Sequence, residues 1–163
     1  MDIAIVRARI PKDSKALAAF DRRTYPNTDE HAPPSYFGHR GLRAYWLLRN
    51  GRRVGACCVV HNATFTHDTD ALSSRAKGVL YITSTAILPK AQRFGIGSIF
   101  KAWQIAYARA HGFKKIVTNA RKSNTASIRM NLKFGFTIVG ESTRCYPDGE
   151  DAVIMELCLP PSL

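Results

Sequence analysis

Between an apolar run ending at Leu88 and a helix-forming run starting near Ser98 lies Pro89-Lys90-Ala91-Gln92-Arg93-Phe94-Gly95-Ile96-Gly97-Ser98. A strand, a glycine-bearing turn and a helix start together aim unpaired backbone N–H groups and the positive end of a helix dipole at one point, which is how proteins hold phosphate. Glycine suits the turn because a side chain would block the approach of the anion. The segment lacks the Gly-Lys-Ser/Thr ending of a Walker A loop, and the third glycine of a dinucleotide fingerprint is Phe100 here. It is a candidate phosphate cradle that belongs to neither nucleotide motif.

A second set of residues could handle protons. The run Tyr81-Ile-Thr-Ser-Thr85 supplies hydroxyls without a carboxylate, and Tyr146 a phenol from a neighbouring strand. Water relayed by Thr83 or Thr85, or Tyr146 acting directly, would serve an acid–base role; the plainer alternative is that these residues simply suit a pleated face. His31, His39, His61, His67 and His111 are scattered and favour surface or structural roles. Cys57, Cys58, Cys145 and Cys158 match neither a CxxC metal pair nor a disulfide framework, so no metal site is expected.

The charge distribution narrows the ligand. Lys and Arg number 24 against 12 Asp and Glu, a net +12. Residues 71–140 hold no carboxylate and twelve cations, so the whole excess belongs to that segment. Such a field attracts a polyanion, either nucleic acid or a phosphorylated cofactor. The plainer alternative is a set of solvated helix faces that happen to be basic.

These residues need a scaffold, and 163 residues suffice for one domain spanning 1–163. Hydrophobic residues at 45% and charged residues at 22% fit a folded globular chain. No apolar run nears the ~20 residues that cross a bilayer, and the start resembles no export signal, so a reduced cytoplasmic setting without a membrane partner is expected. Alternation over Ile3–Arg9 predicts a strand, and Asp13 or Ser14 can cap a helix to about Arg23. The proline-rich stretch Tyr25–Gly41 reads as a loop or short helix. Tyr45–Leu48 and Val54–Val60 flank Asn50-Gly51, the signature of a tight hairpin. Polar 62–78 reads as a connection before a strand at Val79–Leu88. Ile99, Phe100, Trp103, Ala106, Tyr107 and Ala110 share a helical face that Gly112 ends. Lys115–Asn119 is a short strand, Ser123 or Asn124 caps a helix that Gly135 stops, and strands Thr137–Tyr146 and Ala152–Leu159 close the chain. The order β-α-β-β-β-α-β-α-β-β predicts an α/β fold of the α+β kind. It would be a single mixed, mostly antiparallel twisted sheet of about seven strands with helices on both faces.

Gln92-x-x-Gly95-x-Gly97, with its preceding strand and following amphipathic helix, resembles the Gln/Arg-x-x-Gly-x-Gly/Ala signature of the GNAT N-acetyltransferase superfamily. Asn124 through Ile128 and Lys133-Phe134-Gly135-Phe136 are similar to that family's second helix, with its leading Asn and closing Gly-Phe. The resemblance implies acetyl transfer from acetyl-coenzyme A to a primary amine by direct attack, without a metal. It places the pyrophosphate on Gln92, Arg93, Phe94, Gly95, Ile96, Gly97 and Ser98, the pantetheine arm edge-on to the strand at Ile87 and Leu88, and a hydrogen bond from Asn124 to that arm. Backbone N–H groups near Ile87 and Leu88 would hold the developing oxyanion. One position departs from the family: its general-acid Tyr is Asn131 here, so Asn131, Thr85 and Tyr146 share the candidacy for catalysis.

For the acceptor, a small-molecule or peptide amine is expected, with a nucleic-acid or ribosome-bound acceptor and a non-catalytic coenzyme A-binding module as alternatives, and a homodimer allowed. Asp29, Glu30, Asp148, Glu150 and Asp151 sit in the two loops that flank the acceptor entrance in this fold, and would draw a cationic amine.

Overall fold

The computed structural model describes residues 1–26, 32–68 and 71–161. Within them the chain runs β1 (Ile3–Arg7), α1 (Ser14–Thr24), β2 (Leu42–Arg49), β3 (Arg52–Thr64), β4 (Ser74–Ile87), α2 (Ile96–Ala110), β5 (Lys115–Arg121), α3 (Thr125–Lys133), β6 (Thr137–Ser142) and β7 (Ala152–Cys158), with 3-10 turns at Pro34–Gly38 and Pro89–Ala91. The seven strands form one mixed sheet in the order β1-β2-β3-β4-β5-β7-β6. None of the described helices is long and apolar enough to cross a membrane. The chain divides into two units, 1–59 with 84–97, and 60–83 with 98–163.

In the first unit, Asn50 and Gly51 both take left-handed backbone, φ 49° and 75°, and fold β2 back onto β3 as their dipeptide requires. β1 pairs antiparallel with β2 from Ile3 opposite Arg49 to Arg7 opposite Tyr45. The apolar stripe of α1 buries Leu17, Ala18 and Phe20, and the Phe20 ring meets Trp46 edge-on at 5.5 Å. Burying Leu17 and Phe20 stabilises the unit by about 1.5–3 kcal/mol each. The side-chain cap expected for α1 is not made: the Asp13 carboxylate instead accepts the Arg9 N–H at 2.7 Å. Of the Tyr25–Gly41 stretch, Pro34–Gly38 forms a short 3-10 turn, and 27–31 lies outside the described residues.

In the second unit, β4 and β5 are parallel from Val79/Lys115 to Ile82/Thr118, and β7 lies antiparallel to both β5 and β6. Leu80, Ile82, Phe100, Ile116 and Met155 are fully buried. Three expectations shift here. The polar stretch 62–78 is no simple connection, since β3 runs to Thr64 and β4 starts at Ser74. Asn62 and Gly78 are left-handed at φ 53° and 77°, and Asn62 Oδ1 accepts the Gly78 N–H at 2.9 Å. Their polar, turn-like character marks distortions inside paired strands rather than strand ends.

The buried stripe of α2 is Ile96, Phe100, Gln104, Ile105 and Ala108, with Lys101 beside it, whereas Ile99, Ala106 and Ala110 are exposed. A one-residue rotation satisfies the same 3.6-residue period, and Gln104 and Lys101 disguise the true stripe. Finally, β6 ends at Ser142, so Tyr146 sits in the following turn region and not on a strand. Arg144, left-handed at φ 50°, breaks the strand, and its N–H binds Asp151 Oδ1 at 2.9 Å.

Candidate active site

The glycine loop belongs to the first unit up to Gly97 and is shaped by backbone. β4 ends against Gly55 of β3, where an added Cβ would come within 2.8 Å of Ile87 Cδ1 and 3.2 Å of the Ala86 carbonyl oxygen. The Leu88 N–H donates to Val54 O at 3.0 Å, and the Leu88 carbonyl accepts the Ala91 N–H at 2.8 Å. Gln92 Nε2 reaches back to the Ile87 carbonyl at 3.0 Å, so the signature glutamine closes the turn onto the strand end. Pairing between β3 and β4 thus engages Leu88 N–H, which removes it as an oxyanion donor.

Beyond Gln92, Arg93 and Gly95 are left-handed, φ 67° and 74°. A Cβ on Gly95 would meet nothing within 4 Å, so its glycine answers to the dihedral and not to crowding. α2 begins at Ile96. The N–H groups of its first turn have no acceptor within the helix, and left-handed residues just ahead of a helix make an anion-binding nest. Lys90 and Arg93 are exposed beside them. Phe94 is 59% exposed, with the Arg49 guanidinium 5.2 Å from its ring centre. Thr85, half-buried on β4, accepts through its carbonyl the Tyr25 hydroxyl at 3.0 Å. Burial, with the Asp21 carboxylate adding to it, pushes the Tyr25 phenol up to about 12.

The second unit holds a chain of polar side chains. The parallel ladder of β4 and β5 ends at Ile82 opposite Thr118, where the Thr118 hydroxyl donates to the Ile82 carbonyl at 3.0 Å. Asn119 is the next residue. Its Oδ1 accepts the Tyr81 hydroxyl at 2.6 Å, and its Nδ2 donates to the Tyr146 oxygen at 3.1 Å. Burial, and then the neighbouring Tyr146 and Cys145, drive the Tyr81 phenol well above its ordinary range. Tyr81 therefore stays protonated and donates, which fixes the Asn119 amide with its NH2 toward Tyr146. Tyr146 enters as an acceptor, so its own hydroxyl proton is not engaged by Asn119.

Arg121, two residues beyond Asn119, sets its guanidinium 4.1 Å from the Tyr146 ring centre and binds Asp148 Oδ2 at 2.8 Å and Glu150 Oε2 at 3.0 Å. Glu150 Oε1 also accepts the Ser123 N–H at 2.8 Å. Hydrogen bonds from Ser123, then from Arg121, hold the Glu150 carboxyl below its usual range. With Asp151 bound to Arg144 N–H, the three described carboxylates of the five expected to draw a cationic amine are engaged in building their own loop. Asp29 and Glu30 lie outside the described residues.

Asn124 caps α3, its Oδ1 accepting the Ser127 N–H at 3.2 Å, and Ser98 Oγ lies 3.5 Å from Met130 Sδ. Asn131 is 3% exposed, and its Oδ1 meets no donor among the described residues. Arg129, on the same helix, is exposed. The structure therefore joins Tyr146 to Tyr81 and Asn119, while Asn131 stands apart from that chain. Sequence reading passed over Asn119, although an Asn inside a strand, where its propensity is poor, is itself a signal.

The model of the Acetyltransferase (GNAT) family matches residues 14–136. An N-alpha-acetyltransferase of Sulfurisphaera tokodaii is 32% identical over 76 residues, 46% of this chain and 46% of that protein, so the match spans less than half of that relative. The ribosomal-protein-S18-alanine N-acetyltransferase from Escherichia coli superposes with a TM-score of 0.79 at 20% identity, covering 99% of this chain and 97% of that one. Ard1 from Thermoplasma volcanium gives 0.74 at 19% identity over 98% and 99% of the two chains. A Bacillus subtilis acetyltransferase in complex with CoA gives 0.74 at 16% identity over 98% and 100%. At these identities the structural likeness establishes the fold.

Proposed function

We propose, from the premise that this chain belongs to the Acetyltransferase (GNAT) family, that it acts as one domain over 1–163 to move the acetyl group of acetyl-coenzyme A onto the α-amine of a peptide or protein. The observation that carries this reading is the loop 92–98, in which two left-handed residues lead into the open first turn of α2. Its amides would take the pyrophosphate, with Lys90, Arg93 and Arg129 adding positive charge and the Asn124 amide directed to the pantetheine arm. Acetyl-coenzyme A supplies the thioester.

The acceptor class follows from what the polar chain contains. Tyr81, Asn119 and Tyr146 include no carboxylate or imidazole to strip a proton from a strongly basic amine. A lysine side chain, with a pKa near 10.4, is neutral in only about one molecule in 2,500 at pH 7, whereas an α-amine near 7.8 is neutral in about one in seven. A polar chain without a strong base favours the second. Tyr146, whose oxygen accepts from Asn119, would donate its hydroxyl proton to the departing thiolate, with Asn131 in a supporting role.

Thiol release together with the mass of the acceptor tests this on three acceptors: peptides with a free α-amine, the same peptides blocked there but carrying lysine, and a polyamine. Faster acetylation of the free α-amine, with kcat/KM rising up to about the α-amine pKa, is expected. Faster acetylation of lysine or polyamine would overturn the assignment.

A further inference from the structure

The first unit carries a cationic region apart from the glycine loop. From His31 to His67 the sequence holds five arginines, no lysine and no carboxylate. An open groove of about 550 Å³ lies where the end of β1 meets residues 38–44, and Arg7, Arg9, Arg40 and Arg43 line it, with His39 beside them and buried Phe37 below. Among the described residues no carboxylate lines it. Arg7, Arg9 and Arg40 are exposed, while Arg43 is half-buried and donates to the Leu42 carbonyl at 3.0 Å. Among the described residues none of the four forms an ion pair. Asp13, whose carboxylate accepts the backbone N–H of Arg9, pairs instead with Arg53 at 3.6 Å.

Four like charges gathered with no carboxylate among the described lining residues repel one another unless an anion joins them. Arg7 and Arg9 flank buried Ala8, whose N–H binds Ala44 O at 2.9 Å and continues the β1–β2 pairing. Arg7 closes β1 and Arg9 follows two residues on, and both exposed side chains line the same groove, as successive phosphates of one nucleic-acid strand would require. Arginine, which fills every one of these positions, presents a planar fork that matches phosphate oxygens. Phe37 is buried, so the exposed ring among the described lining residues is the His39 imidazole, a small stacking surface beside four guanidiniums. An open trough of guanidiniums suits an extended backbone better than a small phosphate ester, which an enclosed pocket would hold.

We infer that this groove docks the phosphate backbone of a nucleic acid, without reading its sequence. The inference stands independently of acetyl transfer, because none of these residues belongs to the proposed active site.

Fluorescence anisotropy over a salt series, with a structured RNA, a duplex DNA and a phosphopeptide as probes, tests it. The variant Arg7→Gln/Arg9→Gln/Arg40→Gln/Arg43→Gln should weaken nucleic-acid binding at low salt by about tenfold or more and make the log–log salt slope shallower by about three, the share of four phosphate contacts. A control removing the same charge elsewhere, Arg75→Gln/Arg109→Gln/Lys114→Gln/Lys133→Gln, should lose much less. RNA binding above DNA, or the reverse, identifies which backbone geometry the groove prefers. Equal losses in the two variants, no binding by the wild type, or preference for the phosphopeptide would each overturn the proposal. Circular dichroism checks the fold, and Arg9→Gln/Arg40→Gln serves if the fourfold variant does not fold. Acetylation of a free peptide should be unchanged in the groove variant.

Discussion

The glycine loop and the Tyr81–Asn119–Tyr146 chain are built by opposite means. The loop is contiguous in sequence and works through backbone N–H groups, so left-handed Arg93 and Gly95 and the start of α2 shape it locally. The polar chain joins residues 38 and 27 positions apart, and only the pairing of strands brings them within hydrogen-bond reach. A backbone site tolerates many side chains and fails when a glycine is filled. A side-chain relay fails atom by atom, at whichever donor or acceptor is removed.

The largest expected break in that comparison is Gly97→Asp, which sets bulk and negative charge among the loop amides. A hundredfold excess of acetyl-coenzyme A over its Kd should stabilise the wild type by about 2.7 kcal/mol. In the variant that thermal shift should vanish while circular dichroism stays native.

Tyr146→Phe comes next, removing the proposed proton donor. Steady-state kinetics should show kcat lower by about a hundredfold with little change in the KM for acetyl-coenzyme A. Asn119→Ala, which only misplaces that donor, should cost about tenfold, and adding it to Tyr146→Phe should cost little more. Full additivity would separate Asn119 from the relay.

Asn131→Leu sharpens the contrast through stability. Among the described residues its buried Oδ1 meets no donor, so the apolar replacement should raise the stability of the ligand-free protein by about 1 kcal/mol and reduce the shift that acetyl-coenzyme A produces. A stabilised variant with an undiminished shift would make Asn131 merely structural.

The smallest effect lies at alkaline pH. Tyr25 titrates near 10 when unfolded and at about 12 in the fold, so above pH 10 the unfolded state has lost a proton that the native state keeps. Its contribution is fully present below pH 10 and is lost as pH rises toward 12. Tyr25→Phe should flatten the fall in denaturant midpoint between those values.

What the sequence made legible follows the same division. Asn50-Gly51, the glycine loop and the Asn124 cap depend on local dihedral preferences and stand where their residue types put them. The α2 face was misread by one residue because Gln104 and Lys101 are buried where apolar residues would be expected. Asn119 escaped notice because its partners come from β4 and from the turn after β6, and pairing register is a property of the whole sheet. Tyr146 was named for its hydroxyl, but its seat in a turn depends on left-handed Arg144 and on Arg121 holding Asp148 and Glu150.

Amide hydrogen exchange at single-residue resolution, with and without acetyl-coenzyme A, tests the central claim most directly. The account predicts that the ligand protects the N–H groups of residues 93–98 more strongly than any others in the chain, because the pyrophosphate would accept from them. Unchanged exchange in that loop at saturating acetyl-coenzyme A, with protection elsewhere or nowhere, would contradict it.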